Sequence, residues 1–211
     1  RGGLLSVTDR DAPFIASPER LSAAAIRECG RRGYSGVLLD FEQSPTPDRL
    51  AFTETLARRL APRPVYVPES YAAASGTVSL VCTAVSGGSF LQYLQGAAAE
   101  RAGAGKLALD VQRLRMDFTL PARSGEGRPL SPSEFQALLD QESPSVFFSQ
   151  DLCARYFTYT REGETHFVLF DDADTLQQKL QTGTRIGFSA AFLMYPEVRD
   201  LLPRLFPARR T

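Results

Sequence analysis

With 211 residues, 43% of them hydrophobic, the chain is long enough for one domain with a sizeable core, or one domain carrying an insertion. Its 24 Lys and Arg balance its 24 Asp and Glu, and zero net charge argues against nucleic acid, whose binding needs a basic excess. No apolar run reaches membrane-spanning length, and three scattered cysteines beside a single histidine exclude a disulfide framework and a multi-histidine metal centre.

Leu4-Leu5-Ser6-Val7 predicts a short strand. Ser17 is a good N-cap and Pro18 suits a first turn, so a helix is expected to about Cys29, stopping at Gly30. Gly33 to Glu42 then reads as a buried strand. Pro47 to Leu60 is helical, with Leu50, Phe52, Leu56 and Leu60 on a broad apolar face. Strands follow at Pro64–Val67 and Thr77–Val85, then a helix from Phe90 to Arg101, a glycine break at Gly103–Gly105 and a strand at Leu107–Val111. This alternation implies a parallel sheet with helices outside it.

The pattern then changes. Pro121–Pro129 reads as a loop, and Ser131 with Glu134 forms a capping-box pattern for a helix to Leu139. Val146–Phe148 and Arg155–Thr160 predict strands, Arg161-Glu162-Gly163-Glu164 a hairpin turn, and Thr165–Phe170 the returning strand. Asp172 or Asp174 opens a helix through Leu180 that Gly183 ends. A last strand is expected at Ile186–Phe192 and a terminal helix at Pro196–Phe206. An antiparallel piece, about 121–171, is thus inserted into a βα series within one domain spanning 1–211.

The chemistry-bearing stretch is Gly33-Tyr34-Ser35-Gly36-Val37-Leu38-Leu39-Asp40-Phe41-Glu42. Strand alternation puts Val37, Leu39 and Phe41 on one face and Leu38, Asp40 and Glu42 on the other. Two acids on one face at a strand's C-terminal end stand where α/β barrels keep their active sites. Cys29, Cys82 and Cys153 read as small buried core residues, and a Ser-His-Asp triad would have to use His166, inside a predicted strand. Gly87-Gly88 and Gly103–Gly105 lack the flanking residues of a phosphate loop and read as turns.

Gly36, Asp40, Phe41 and Glu42 resemble the signature of glycoside hydrolase family 18, the chitinase and spore-cortex peptidoglycan hydrolase group, in which the acids close the fourth barrel strand. Ser35 and Leu38 depart from it, standing where the family prefers acids or amides. Phe170-Asp171-Asp172-Ala173, with Leu176 and Lys179, resembles the segment before the last strand in the spore-cortex branch.

The resemblance implies an α/β, TIM-like (β/α) barrel. Leu4–Val7 then corresponds to the third strand, so the barrel is expected to be incomplete, trimmed at an N-terminus that begins with Arg1. An incomplete barrel exposes a strand edge, which suggests a homodimer covering it. The resemblance further implies a partner polysaccharide containing N-acetylglucosamine, either peptidoglycan or chitin, with no cofactor and no metal. It makes Glu42 the general acid and Asp40 the carboxylate that orients the substrate's acetamido group. Mutual repulsion of the two acids and the apolar Leu38 beneath them are expected to keep Glu42 protonated. Tyr66, Glu69, Phe192, Tyr195 and Asp9 are expected substrate contacts, Tyr71 is a further candidate pocket residue at a strand end, and Asp9, Arg10 and Asp11 are expected to flank the barrel mouth. A catalytically degenerate glycan-binding or scaffold domain is the alternative, because the family's sixth-strand tyrosine and acid and its eighth-strand tryptophan are replaced by residues such as Ala84, Val85 and Phe192. Localisation is not legible from the residues; the resemblance points to an extracellular, cell-wall or spore setting.

Overall fold

The structure, a computed structural model, describes residues 2–11, 16–101, 106–121 and 127–207. The glycine break at Gly103–Gly105 and most of the loop expected at Pro121–Pro129 lie outside the described residues. Two compact units divide the chain: Arg1–Val81 with Ala98–Ala108 and Phe188–Ala190, and Cys82–Ala97 with Leu109–Gly187 and Ala191–Thr211.

The βα series forms an α/β, incomplete TIM-like barrel. Strands β1 (Leu4–Thr8), β2 (Gly36–Asp40), β3 (Val65–Val67) and β4 (Val78–Cys82) pair in parallel, and the sheet order continues through β5 (Leu107–Val111) to β11 (Ala190–Leu193). Helices α1 (Pro18–Arg32) and α2 (Pro47–Leu60) cover one face of the first strands. The expected alternation holds there: Val37, Leu39 and Phe41 are 0%, 0% and 7% exposed and pack with Cys29, Phe52, Leu56 and Tyr71. β1 heads the sheet order, so one of its edges faces no strand among the described residues.

The second unit holds α3 (Phe90–Glu100) and a five-stranded antiparallel sheet. Its order is β7-β6-β10-β9-β8, built from β6 (Arg115–Thr119), β7 (Arg128–Pro129), β8 (Phe147–Ser149), β9 (Ala154–Arg161) and β10 (Glu164–Phe170). One sheet face, with Phe157, Tyr159, Val168 and Phe170, packs on Leu138 of α4 (Pro132–Glu142). The predicted capping box of α4 forms, and bonds from Ser131 together with Arg128 hold the Glu134 carboxyl down to about 2. α5 (Ala173–Ile186) follows, then the short helices α6 (Tyr195–Val198) and α7 (Leu202–Leu205), which replace the single terminal helix expected from Pro196 to Phe206.

Several expected boundaries shift for physical reasons. β6 lies in a stretch given no element in the sequence reading, because Arg115 and Asp117 interrupt its apolar character; in the structure it pairs with β10 along five residues. The antiparallel piece therefore starts before residue 121. Gly30 and Gly183 do not end their helices. Each helix runs on to a glycine with left-handed φ, Gly33 at 69° and Gly187 at 102°, a conformation other residues adopt only with strain. Glycine is needed at position 183 for packing rather than as a helix stop, because a Cβ there would meet Leu109 Cδ1 at 2.6 Å. Ser17 makes no side-chain cap, and the strands predicted at Thr77–Val85 and Ile186–Phe192 contract to β4 and β11. Cys29 and Cys153 are buried as expected, whereas Cys82 is only half-buried.

Asp171, just past β10, anchors the second unit. It accepts from Leu114 N–H at 3.1 Å and the Thr175 hydroxyl at 2.8 Å, and pairs at 2.8 Å with Lys179 of α5. Both charges are 0% exposed, and Lys179 also donates to the Thr83 carbonyl at 3.1 Å. Removing one member of such a pair leaves the other charge buried and alone. Lys179→Met is expected to destabilise the protein by about 3–5 kcal/mol, read as a lowered midpoint in urea unfolding; an unchanged midpoint contradicts this role.

Candidate functional site

The C-terminal ends of β1 and β2 lie side by side, with Thr8 opposite Asp40 in register. β2 ends at Asp40, and the chain turns through Phe41 and Glu42 towards α2. Phe41 fixes the turn from below, its ring 6.1 Å from Phe52 and 5.3 Å from Tyr71, edge-on in the latter pair. Asp40 and Glu42 are both exposed. Glu42, with its side chain 51% exposed, is not the buried acid expected above Leu38.

Beneath the turn is a buried polar network. Asp9, 2% exposed, accepts from the Glu42 backbone N–H at 2.8 Å through Oδ1. Its Oδ2 takes the Arg49 Nε–H at 3.0 Å, in an ion pair whose two side chains are each 2% exposed. Arg49, from α2, donates to Gln43 Oε1 at 2.7 Å, and Gln43 returns a bond from its amide to the Asp9 carbonyl at 2.9 Å. The Tyr71 hydroxyl donates to the Gln43 carbonyl at 2.9 Å, and burial pushes this phenol up to about 12. Both Asp9 oxygens are thus engaged from within the protein. Asp9 positions the Glu42 backbone rather than facing a substrate, and Tyr71, fully buried, belongs to the same network instead of a pocket wall.

Above the turn, Arg10 donates to Glu42 Oε1 from Nε at 3.1 Å and from Nη2 at 2.6 Å. The hydrogen bond and charge of Glu42 raise the Arg10 guanidinium further above its ordinary value. Glu42 Oε2 and the Asp40 carboxylate make no hydrogen bond among the described residues. The structure therefore brings Asp9, Arg10, Asp40 and Glu42 together at one pair of strand ends.

Tyr66 on β3 is opposite Leu38 in register, half-buried, and its phenol is raised by burial. Glu69, exposed, begins a single turn, Glu69–Tyr71. Phe192 on β11, half-buried, and Tyr195 at the start of α6, 64% exposed, belong to the second unit. His166 Nδ1 is 3.1 Å from Asp117 Oδ1, and its ring stacks on Tyr159. Arg49 and Gln43 escaped the sequence reading: a lone arginine in an amphipathic helix carries no pattern that distinguishes it from a solvated one. No group of three or more metal-ligating side chains is present among the described residues.

Neither a protein-family model nor a curated protein matches the chain. Solved structures do. A Bacillus subtilis protein, YdhD, provisionally described as a sporulation-specific glycosylase, superposes with TM-score 0.64 and 16% identity over 89% of this chain and 78% of that one. The spore cortex-lytic enzyme SleL of Bacillus cereus gives TM-score 0.62 and 20% identity over 96% of this chain and 59% of that one. A family GH18 chitinase from Cycas revoluta gives TM-score 0.58 and 15% identity over 89% and 71%. The fold is that of family 18 chitinases and spore cortex-lytic enzymes, carried by a divergent sequence.

Asp9→Asn retains an oxygen for the Glu42 N–H but leaves Arg49 without its counter-charge in a buried site. A loss of about 3–5 kcal/mol is expected, measured by urea unfolding; a loss within about 0.5 kcal/mol, the range of an ordinary surface change, would contradict the network.

Proposed function

We propose that this chain is a family 18-like glycoside hydrolase domain acting on glycans that contain N-acetylglucosamine, with Glu42 as general acid and Asp40 as the acetamide-orienting carboxylate. The observation that carries the reading is the pair of exposed acids at the end of β2, on a turn whose backbone is pinned by Asp9. In this chemistry the substrate's own acetamido oxygen attacks the anomeric carbon while Glu42 gives its proton to the departing glycosidic oxygen. Asp40 holds the acetamido N–H and balances the positive charge that develops on the ring formed. Water then opens that ring, and Glu42 takes the proton back. Cell-wall or chitinous material is the substrate setting this reading implies, and the extracellular location belongs to the same proposal.

A second reading, a degenerate glycan-binding domain, is favoured by a specific observation: Arg10 already occupies Glu42 Oε1. The replaced positions Ala84, Val85 and Phe192 add to it. A hydrogen bond to developing charge is worth about 3 kcal/mol, so two missing ones slow such a reaction roughly 10⁴-fold. Hydrolysis of N-acetylglucosamine oligomers and of purified peptidoglycan, with parent and Glu42→Gln side by side, decides between the readings. Turnover that falls by about 10² or more in Glu42→Gln supports the enzyme. Equal rates overturn it, and folded protein that binds but never cleaves supports the second reading.

The reading includes a second copy of the chain over the edge of β1 that pairs with no strand among the described residues. Leu5 and Val7 of β1 with Leu21, Ala24 and Ala25 of α1 line an apolar groove of about 490 Å³ beside that edge, and Leu21 is 47% exposed. Sedimentation equilibrium is expected to give a dimer that Leu21→Arg converts to a monomer; a monomeric parent overturns this part.

A further inference from the structure

Within the second unit a cavity of about 270 Å³ opens between α3, the end of β8 and α5. Its apolar wall is formed by Phe90, Leu91 and Phe148, of which Leu91 and Phe148 are 47% and 37% exposed. Its polar wall is formed by Gln150, Gln178 and Arg185. Gln178 and Arg185 are seven residues apart on α5, with Thr182 between them, so helical periodicity puts all three on one face.

The side chains of the polar wall are exposed, and most of their polar groups are open to a ligand. The Arg185 guanidinium donates to Thr182 Oγ1 at 3.1 Å and forms no ion pair among the described residues. Neither glutamine amide makes a hydrogen bond among them. The neighbouring cation Lys179 is neutralised by Asp171, so Arg185 is the uncompensated charge on this wall. Asp151, whose carbonyl accepts the Phe90 N–H at 2.7 Å, is not among the lining residues.

An apolar wall facing two amides and a guanidinium without a counter-charge among the described residues fits an amphipathic anion. The volume lies near the small end of ligand clefts, about 300 Å³, which suits one ring rather than a chain of them. We propose that this cavity binds a carboxylate-bearing acetamido sugar. Arg185 pairs with the carboxylate, Gln150 and Gln178 take hydroxyl or acetamido groups, and Phe148 with Leu91 covers the ring's apolar face. The choice of a sugar rests on the function proposed above; the choice of an anionic one rests on Arg185.

N-acetylmuramic acid and N-acetylglucosamine differ only by the lactyl ether that carries the carboxylate, so they isolate this contact. Titrations followed by heteronuclear NMR are expected to shift the Phe148, Gln150, Gln178 and Arg185 signals. The acid sugar should bind about tenfold or more tightly than the neutral one, the worth of a charge-assisted hydrogen bond. Arg185→Gln should equalise the two, with melting temperature and hydrolysis rate unchanged, and Phe148→Ala should weaken both. Equal affinities in the parent, no binding of the acid sugar, or undiminished preference in Arg185→Gln overturns the proposal. Glu42-dependent hydrolysis without such binding removes this site and leaves the glycosidase reading standing; binding here without hydrolysis does the reverse.

Discussion

The buried ion pair between Asp9 and Arg49 is the constraint on which the candidate site depends. Taking two charges out of water costs several kcal/mol per ion, and attraction offsets that only when the remaining lone pairs and protons are also satisfied. Here they are: one Asp9 oxygen takes a backbone N–H, the other a guanidinium N–H, and Arg49 reaches on to Gln43. The pair ties together the segment after β1, the segment after β2 and helix α2. The Glu42 backbone is fixed by it, while the Glu42 side chain stays half-exposed and meets Arg10 through one oxygen. A rigid backbone beneath an exposed acid is what a positioned proton donor requires.

The second unit uses the same device with different residues. Asp171, like Asp9, directly follows a strand, accepts a backbone N–H from another connection and pairs with a cation on a helix. The cations differ in a way that suits their tasks. Arg49 has a planar fork and serves Asp9, Thr46 and Gln43 in separate directions. Lys179 is a point charge between one carboxylate and one carbonyl, capped by the Phe90 ring at 5.6 Å. In both units the ends of strands, where connections are otherwise the softest part of a fold, are anchored by charge in the core.

What the sequence revealed follows from which forces are local. The alternation of Val37, Leu39 and Phe41 against Leu38 and Asp40 is a property of four or five neighbouring residues, and it is found intact. The Ser131–Glu134 capping box is equally local. Gly30 and Gly183 misled because glycine lowers helix stability by only about 1 kcal/mol, which packing overrides; at Gly183 the bare backbone is needed by Leu109. β6 was illegible because the partner that makes Arg115–Thr119 a strand is β10, far away in the chain. The Asp9–Arg49 pair spans 40 residues and follows no spacing rule at all. Asp9 was noticed as a strand-end acid, and only its surroundings show that it faces inward.

The Arg10–Glu42 contact is of a different kind from the buried pair beneath it. Arg10 and Glu42 are 67% and 51% exposed, so solvent and salt screen their attraction. Arg10 holds only one carboxylate oxygen, and a ligand entering over Asp40 can displace an exposed guanidinium without breaking anything buried. The Asp9 network fixes the backbone beneath Glu42 in either case, just as the Asp171–Lys179 pair fixes a strand end that carries no such acid, so the buried ion pair accounts for the rigidity of the turn and the exposed carboxylates alone carry any chemistry.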